Sequence, residues 1–153
     1  MDKETLLRLA EEAGFTAAFT TPDQVLQKEE FRIYCEENRC GKYNANYSCP
    51  PDCGTVEELR QKVQAADTIM VVQTIRENVD KTNKEEILRI RSGHNASIIR
   101  LMKKFRELGY DGFCAGYGGC SLCNPCKRME NQPCAFPDLK ISCMSAYCVD
   151  VAD

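Results

Sequence analysis

The chain is short of histidine, of net charge and of long apolar runs, and each shortage narrows what it can do. His94 is the only histidine among 153 residues. A lone histidine gives no Ser-His-Asp or Cys-His-Asn pattern to argue from. It shares the apolar face of a predicted helix with Ile87, Ile98, Leu101, Phe105 and Leu108, and reads as a buried residue satisfied by one hydrogen bond. The net charge is −3 and the pI near 5.3. Basic residues are scattered apart from the pairs Lys103-Lys104 and Lys127-Arg128, so no general attraction for nucleic acid is expected. No apolar run is long enough to cross a bilayer. The opening MDKETLLRLAEEAG is charged and helical in pattern where a signal peptide would be apolar. A cytoplasmic protein with no membrane partner is the expectation. There is no repeat of fixed period and no low-complexity tract, and the length suits a single metal-binding domain over residues 1–153.

What the chain does have is cysteine, 11 in all. In a reducing compartment that density points to metal binding or redox chemistry before disulfides, and an odd count would leave one thiol over from a full disulfide framework. The stretch GGCSLCNPCKRMENQPC places thiols at Cys120, Cys123, Cys126 and Cys134. One C-x2-C turn can serve zinc, which draws its pairs from separate segments. Three thiols in a single C-x2-C-x2-C turn suit a larger object, as in the bacterial ferredoxin pattern that wraps a 4Fe-4S cube. The preceding glycines would let backbone N–H groups approach the sulfurs. Cys134, behind Pro133, lies further along than the ferredoxin fourth ligand, far enough to turn back to the same centre. One or two 4Fe-4S clusters are therefore expected, with zinc as the alternative.

A second group, Cys35, Cys40, Cys49 and Cys53, is spaced C-x4-C-x8-C-x3-C. That fits neither a standard zinc finger nor a radical-SAM motif, yet four thiols in a loop without periodicity argue for a bound centre. A four-thiolate cube carries a charge of about −2 and favours nearby cations. Arg39, Lys42, Lys127 and Arg128 lie in or beside the loops, and Tyr43, Tyr47 and Phe136 could cover them. Cys114 reads as a core residue, and Cys143 and Cys148 as bystanders. Gly116-Tyr-Gly118-Gly119 lacks the Lys-Ser/Thr of a P-loop. Asn46-Tyr-Ser and Asn95-Ala-Ser match the glycosylation sequon, which carries no meaning in the cytoplasm.

The elements that place these motifs are short. Helices are expected over residues 3–13, briefly after Thr21-Pro22, from the capping box Thr55-x-x-Glu58 to about residue 66, and from Thr82-x-x-Glu85 to about residue 108. Strands are expected over residues 15–20, 67–75 and 110–115. The alternation predicts an α/β fold: a small mixed or parallel sheet with βαβ crossovers, helices packed on it, and both cysteine loops (35–53 and 120–134) at one end.

The segments CGxYxxNxxCPPxCGTxEEL, GGCxLCxPC, PCxFPD and SxMSAYxVDV, spread over residues 32–151, resemble a family of small bacterial and archaeal proteins described only as predicted metal-binding, a domain of unknown function. The resemblance implies two cysteine centres, iron–sulfur in type, on the eight positions singled out above. It implies no reaction. Cys143 and Cys148 stand where such relatives typically carry serine and glycine, and relatives usually continue past Asp153 with another strand or two, so a partner copy could supply an edge. The functional expectation is a redox or electron-transfer protein serving a partner protein or an associated enzyme. The alternatives are a structural zinc module for protein contacts and an enzyme whose cluster keeps an open iron site.

Overall fold

Asp2 starts the first helix, α1 (Lys3–Glu12), by accepting a hydrogen bond from the Thr5 amide. Leu6 and Ala10, one turn apart, form its buried stripe. Gly14 ends it at φ 96, a left-handed conformation that glycine adopts without penalty. The computed structural model describes residues 2–116, 120, 122–123, 126–137 and 140–150. The chain divides into two units, the first comprising Met1–Thr21 and Asp67–Phe113 and the second Pro22–Ala66 and Cys114–Asp153.

In the first unit, α1 leads into β1 (Thr16–Thr20), which pairs with β2 (Ile69–Gln73) in antiparallel register, Thr16 opposite Gln73 and Thr20 opposite Ile69. The longest helix of this unit is α4 (Lys84–Glu107). It buries Asn95, Ile98, Leu101 and Met102. Leu6, Ala10 and Phe15 complete this core. Each large aliphatic or aromatic side chain so buried contributes about 2 kcal/mol over an exposed one. Asn95 is buried, so its sequon is inaccessible.

In the second unit, α2 (Arg32–Glu36) is little more than one turn, and α3 (Val56–Gln64) opens with the full Thr55/Glu58 capping box and buries Leu59 and Val63. Two-residue strands β3 (Ala115–Gly116) and β4 (Ser142–Cys143) pair in parallel. Residues 26–28 bond through the backbone to residues 148–150, beyond β4: Gln27 bridges Val149, the Lys28 amide donates to Cys148 O at 2.9 Å, and the Asp150 amide donates to Leu26 O at 2.8 Å. Ile141, Ala146, Tyr147 and Cys148 form the core beside Leu59 and Val63.

Several expectations change. The α/β class holds, with helices and small sheets, but the described strands make two separate two-stranded sheets, β1 and β2 run antiparallel, and no βαβ crossover is seen among the described residues. The physical reason lies in the connection between β1 and β2. Residues 22–66 fold back into the second unit, so the chain leaves Thr20 and re-enters beside it at Ile69. The third strand starts five residues late and is only two residues long. The segment after Thr21 is a 3-10 turn, Pro22–Gln24. The cap of α4 is Asn83, which accepts from the Glu86 amide, whereas Thr82 binds Asp80.

His94 is half-buried where a buried residue was expected. Its Nδ1 lies 2.6 Å from Thr74 Oγ1, and its ring meets Phe15 edge-on at 5.3 Å. Burial lowers its pKa below the ordinary 6.5. The unfolded chain therefore takes up the proton first as pH falls. Stability is unaffected above pH 6.5 and is lost as pH drops from there through the folded value. Urea midpoints measured from pH 7.5 to 5.5 should decline, and His94→Gln should flatten that decline; an equal decline in the variant would assign it to other groups.

Candidate metal centre

All 11 cysteines fall in the second unit. The first unit has none, so the chemistry is segregated. The loop before α3 and the loop after β3 are tied to each other by side chains that reach for backbone. Asn46, 5 % exposed, donates from Nδ2 to Cys120 O at 2.9 Å, while its Oδ1 accepts from the Ser48 amide at 2.9 Å. Tyr47 donates its hydroxyl proton to Gln132 O. Arg128 forms an ion pair with Asp52 at 2.9 Å and also donates to Asn44 Oδ1 at 2.7 Å. Asn44 can take its place in the turn because it adopts φ 56, a left-handed conformation that asparagine tolerates.

These ties enclose a solvent-open recess of about 300 Å³. Cys120, Cys123, Cys126 and Cys134 all line it. Cys134 does turn back to the turn that carries the other three, as its longer spacing allowed. Tyr47 and Phe136 form part of the wall, and Lys127 and Lys140 bring two cationic side chains to it. Lys140 also sits 6.0 Å over the Tyr47 ring. Ser48 lines the recess too, 1 % exposed, with a buried hydroxyl that has no hydrogen-bond partner. An unmade hydrogen bond of that kind costs about 1–3 kcal/mol. Gly118 and Gly119, expected to aim backbone donors at the sulfurs, lie outside the described residues. Among the described residues, no three His, Cys, Asp or Glu side chains converge on one point as a single ion would require.

Of the upstream thiols, Cys35 and Cys53 lie near Arg32. Its guanidinium donates to Gly54 O at 3.0 Å and to Ala146 O at 2.8 Å, and so links the turn after Cys53 to the turn after Cys143. Burial pushes the Cys35 thiol up to about 11; Arg32 opposes this, and the nearby Cys143, Cys148 and Cys40 add to it. Burial likewise pushes Cys49 up to about 12, with Cys40, Cys53 and Cys143 adding to the rise and Lys42 opposing it. Such thiols stay protonated until a metal displaces the proton. Cys53 is raised by burial as well, against Arg32 and Lys140. Cys40 is exposed.

A family model described as "Predicted metal-binding protein (DUF2284)" matches residues 18–153. The chain belongs to that family. Comparison with curated proteins and with solved structures finds no match. As a member of this predicted metal-binding family, the chain has a donor set suited to a metal: four thiols on one recess and further thiols in the same unit.

Two residues of this family member were undervalued by sequence reasoning. Cys143, read as a bystander, stands on β4 with its sulfur accepting from the Ser145 amide at 3.4 Å, close enough to Cys35 and Cys49 to influence both. Ser48 had no signal except its place in NYSCPPDC. Cys148 is fully buried at φ 58, the left-handed region, which accounts for the glycine expected at that place in relatives. Of the charged candidates, Arg128 is an inter-loop clamp and Arg39, with its side chain 80 % exposed, pairs only with Glu37. Asn46 cannot carry a glycan, since it is buried and both ends of its amide are engaged.

Because one amide joins two loops, Asn46→Ala should leave a backbone N–H and a backbone carbonyl unpaired and cost about 2 kcal/mol. Chemical denaturation followed by tyrosine fluorescence, to which five of the six tyrosines contribute from the second unit, checks this; an unchanged midpoint would show that the loops are held without it.

Proposed function

We propose that this chain is an iron–sulfur protein whose downstream cysteines hold a 4Fe-4S cluster and whose role is electron transfer to a redox partner protein or an associated enzyme. One observation carries the reading: Cys120, Cys123, Cys126 and Cys134 line a single recess, three from consecutive steps of one turn and the fourth from beyond it. A cube presents its irons at separate corners, so its ligands surround a volume instead of meeting at a point. When bound, the cluster supplies a one-electron couple.

The chain's own residues do the rest. The four thiols, as thiolates, are the ligands. Lys127 and Lys140 at the recess offset the negative charge that four thiolates bring. Tyr47 and Phe136 shield the walls from water while the open side leaves an approach for a partner. The inter-loop ties through Asn46, Tyr47 and Arg128 fix the ligand loop, so little rearrangement accompanies a change of charge. The upstream group, Cys35, Cys40, Cys49 and Cys53, supplies the ligands of a second centre in the same unit.

The test is the iron, acid-labile sulfide and zinc content of protein purified without oxygen, with visible spectra before and after dithionite. About four irons and four sulfides per chain for one cluster, or about eight of each for two, with absorption that bleaches on reduction, is the expected result. Cys126→Ser should remove the signal of the recess cluster and leave the first unit folded. Zinc without sulfide in the wild-type protein would overturn the reading.

A further inference from the structure

Two buried side-chain polar atoms among the described residues have no hydrogen-bond partner, Arg32 Nε and Ser48 Oγ. Buried polar atoms are nearly always paired, so each calls for a specific explanation. Ser48 is the more telling of the two because it also lines the recess that the four downstream cysteines share.

Its position is fixed from both sides. The Ser48 amide donates to Asn46 Oδ1, and the same side chain donates from Nδ2 to Cys120 O, both at 2.9 Å. A single buried amide thus fastens Ser48 to the backbone of the first cysteine in the turn. The residue is 1 % exposed, so bulk water does not serve its hydroxyl. A serine hydroxyl carries one proton to donate and rotates to find its acceptor. The acceptors that set this recess apart from an ordinary protein wall are sulfurs.

We propose that Ser48 Oγ donates a hydrogen bond to a sulfur of the centre held by Cys120, Cys123, Cys126 and Cys134, and that this bond sets the centre's reduction potential. The inference rests on the iron–sulfur reading above. Reduction adds one electron, and with it one negative charge, to the cluster and its thiolates. A hydrogen bond to sulfur strengthens as the sulfur becomes more negative, so the hydroxyl favours the reduced form over the oxidised one and raises the potential. Seclusion from water amplifies the effect, since the surroundings screen it weakly. Ser48 is a positioning residue in this scheme: it neither ligates iron nor carries the electron.

The experiment compares wild-type protein, Ser48→Ala and Ser48→Thr, all purified without oxygen, by iron and sulfide content, far-UV circular dichroism, and redox titration followed by visible absorption and electron paramagnetic resonance. Alanine removes only an atom that has no partner in the protein, so folding should be unaffected. The expected result is wild-type iron and sulfide in Ser48→Ala, with the one-electron equilibrium shifted about tenfold towards the oxidised form, a fall of about 59 mV. Ser48→Thr keeps the hydroxyl and should stay near the wild-type potential. An unchanged potential in a fully loaded Ser48→Ala would overturn the proposal. Loss of iron and sulfide from a folded Ser48→Ala would overturn it too, because the hydroxyl would then hold the centre instead of tuning it. Wild-type protein that binds zinc and no sulfide would bring down the iron–sulfur reading itself, and that failure is visible before any variant is made.

Discussion

The buried amide of Asn46 is the constraint on which the site depends. A primary amide can donate and accept at once, and here it does both to backbone: it holds the Ser48 amide on one side and the Cys120 carbonyl on the other. Two loops with almost no regular structure thereby gain a fixed relation. Tyr47 and Arg128 repeat the same connection further out, to Gln132 and to Asp52 and Asn44. Without such ties, the four thiols that line the recess would belong to a loop free to open. Irregular loops must satisfy their backbone groups somewhere, and side-chain amides, hydroxyls and guanidinium groups take the place of a sheet ladder here.

A second consequence of that economy is the division of labour between the two units. The first packs α1 and α4 with an antiparallel β1–β2 pair around Leu6, Phe15, Ile98 and Leu101, and holds no cysteine. The second has less regular structure and all the thiols. Its order comes from short backbone bridges among residues 26–28, 115–116 and 142–150, and from Arg32 spanning two turns. Burial raises the thiol pKa at Cys35 and Cys49, so both are protonated at neutral pH.

Electrostatics point the same way at both groups of cysteines. Lys127 and Lys140 face the downstream recess, and Arg32 opposes the rise in the thiol pKa of Cys35 and Cys53 upstream. Cations beside thiols favour the thiolate form. Among the described residues, the two buried donors without partners, Arg32 Nε and Ser48 Oγ, stand one at each group.

Much of this was legible in the sequence. The periodicity of Leu6 and Ala10, the Thr55/Glu58 capping box, the apolar run that became β2 and the apolar face that holds His94 each rest on interactions within a few residues, and local physics decides those. The cysteine spacing established which thiols could act together, because three residues per step is a property of the chain itself. Strand direction, the split into two units and the partners of the ties were not legible. β1 and β2 pair antiparallel where a crossover was expected, because pairing is set by where residues 22–66 go, and nothing within β1 or β2 records that. Arg128 looked like a cation for a cluster and became a clamp, Cys143 looked idle and joined the upstream thiols, and Ser48 gave no warning of its unpaired hydroxyl. Sequence alone determined α1, α3, α4, β1, β2 and the kinds of ligand on offer; tertiary structure decided the remaining short elements and which side chains face one another, since contacts between residues 74 positions apart, such as Asn46 and Cys120, are fixed only when the whole chain has packed.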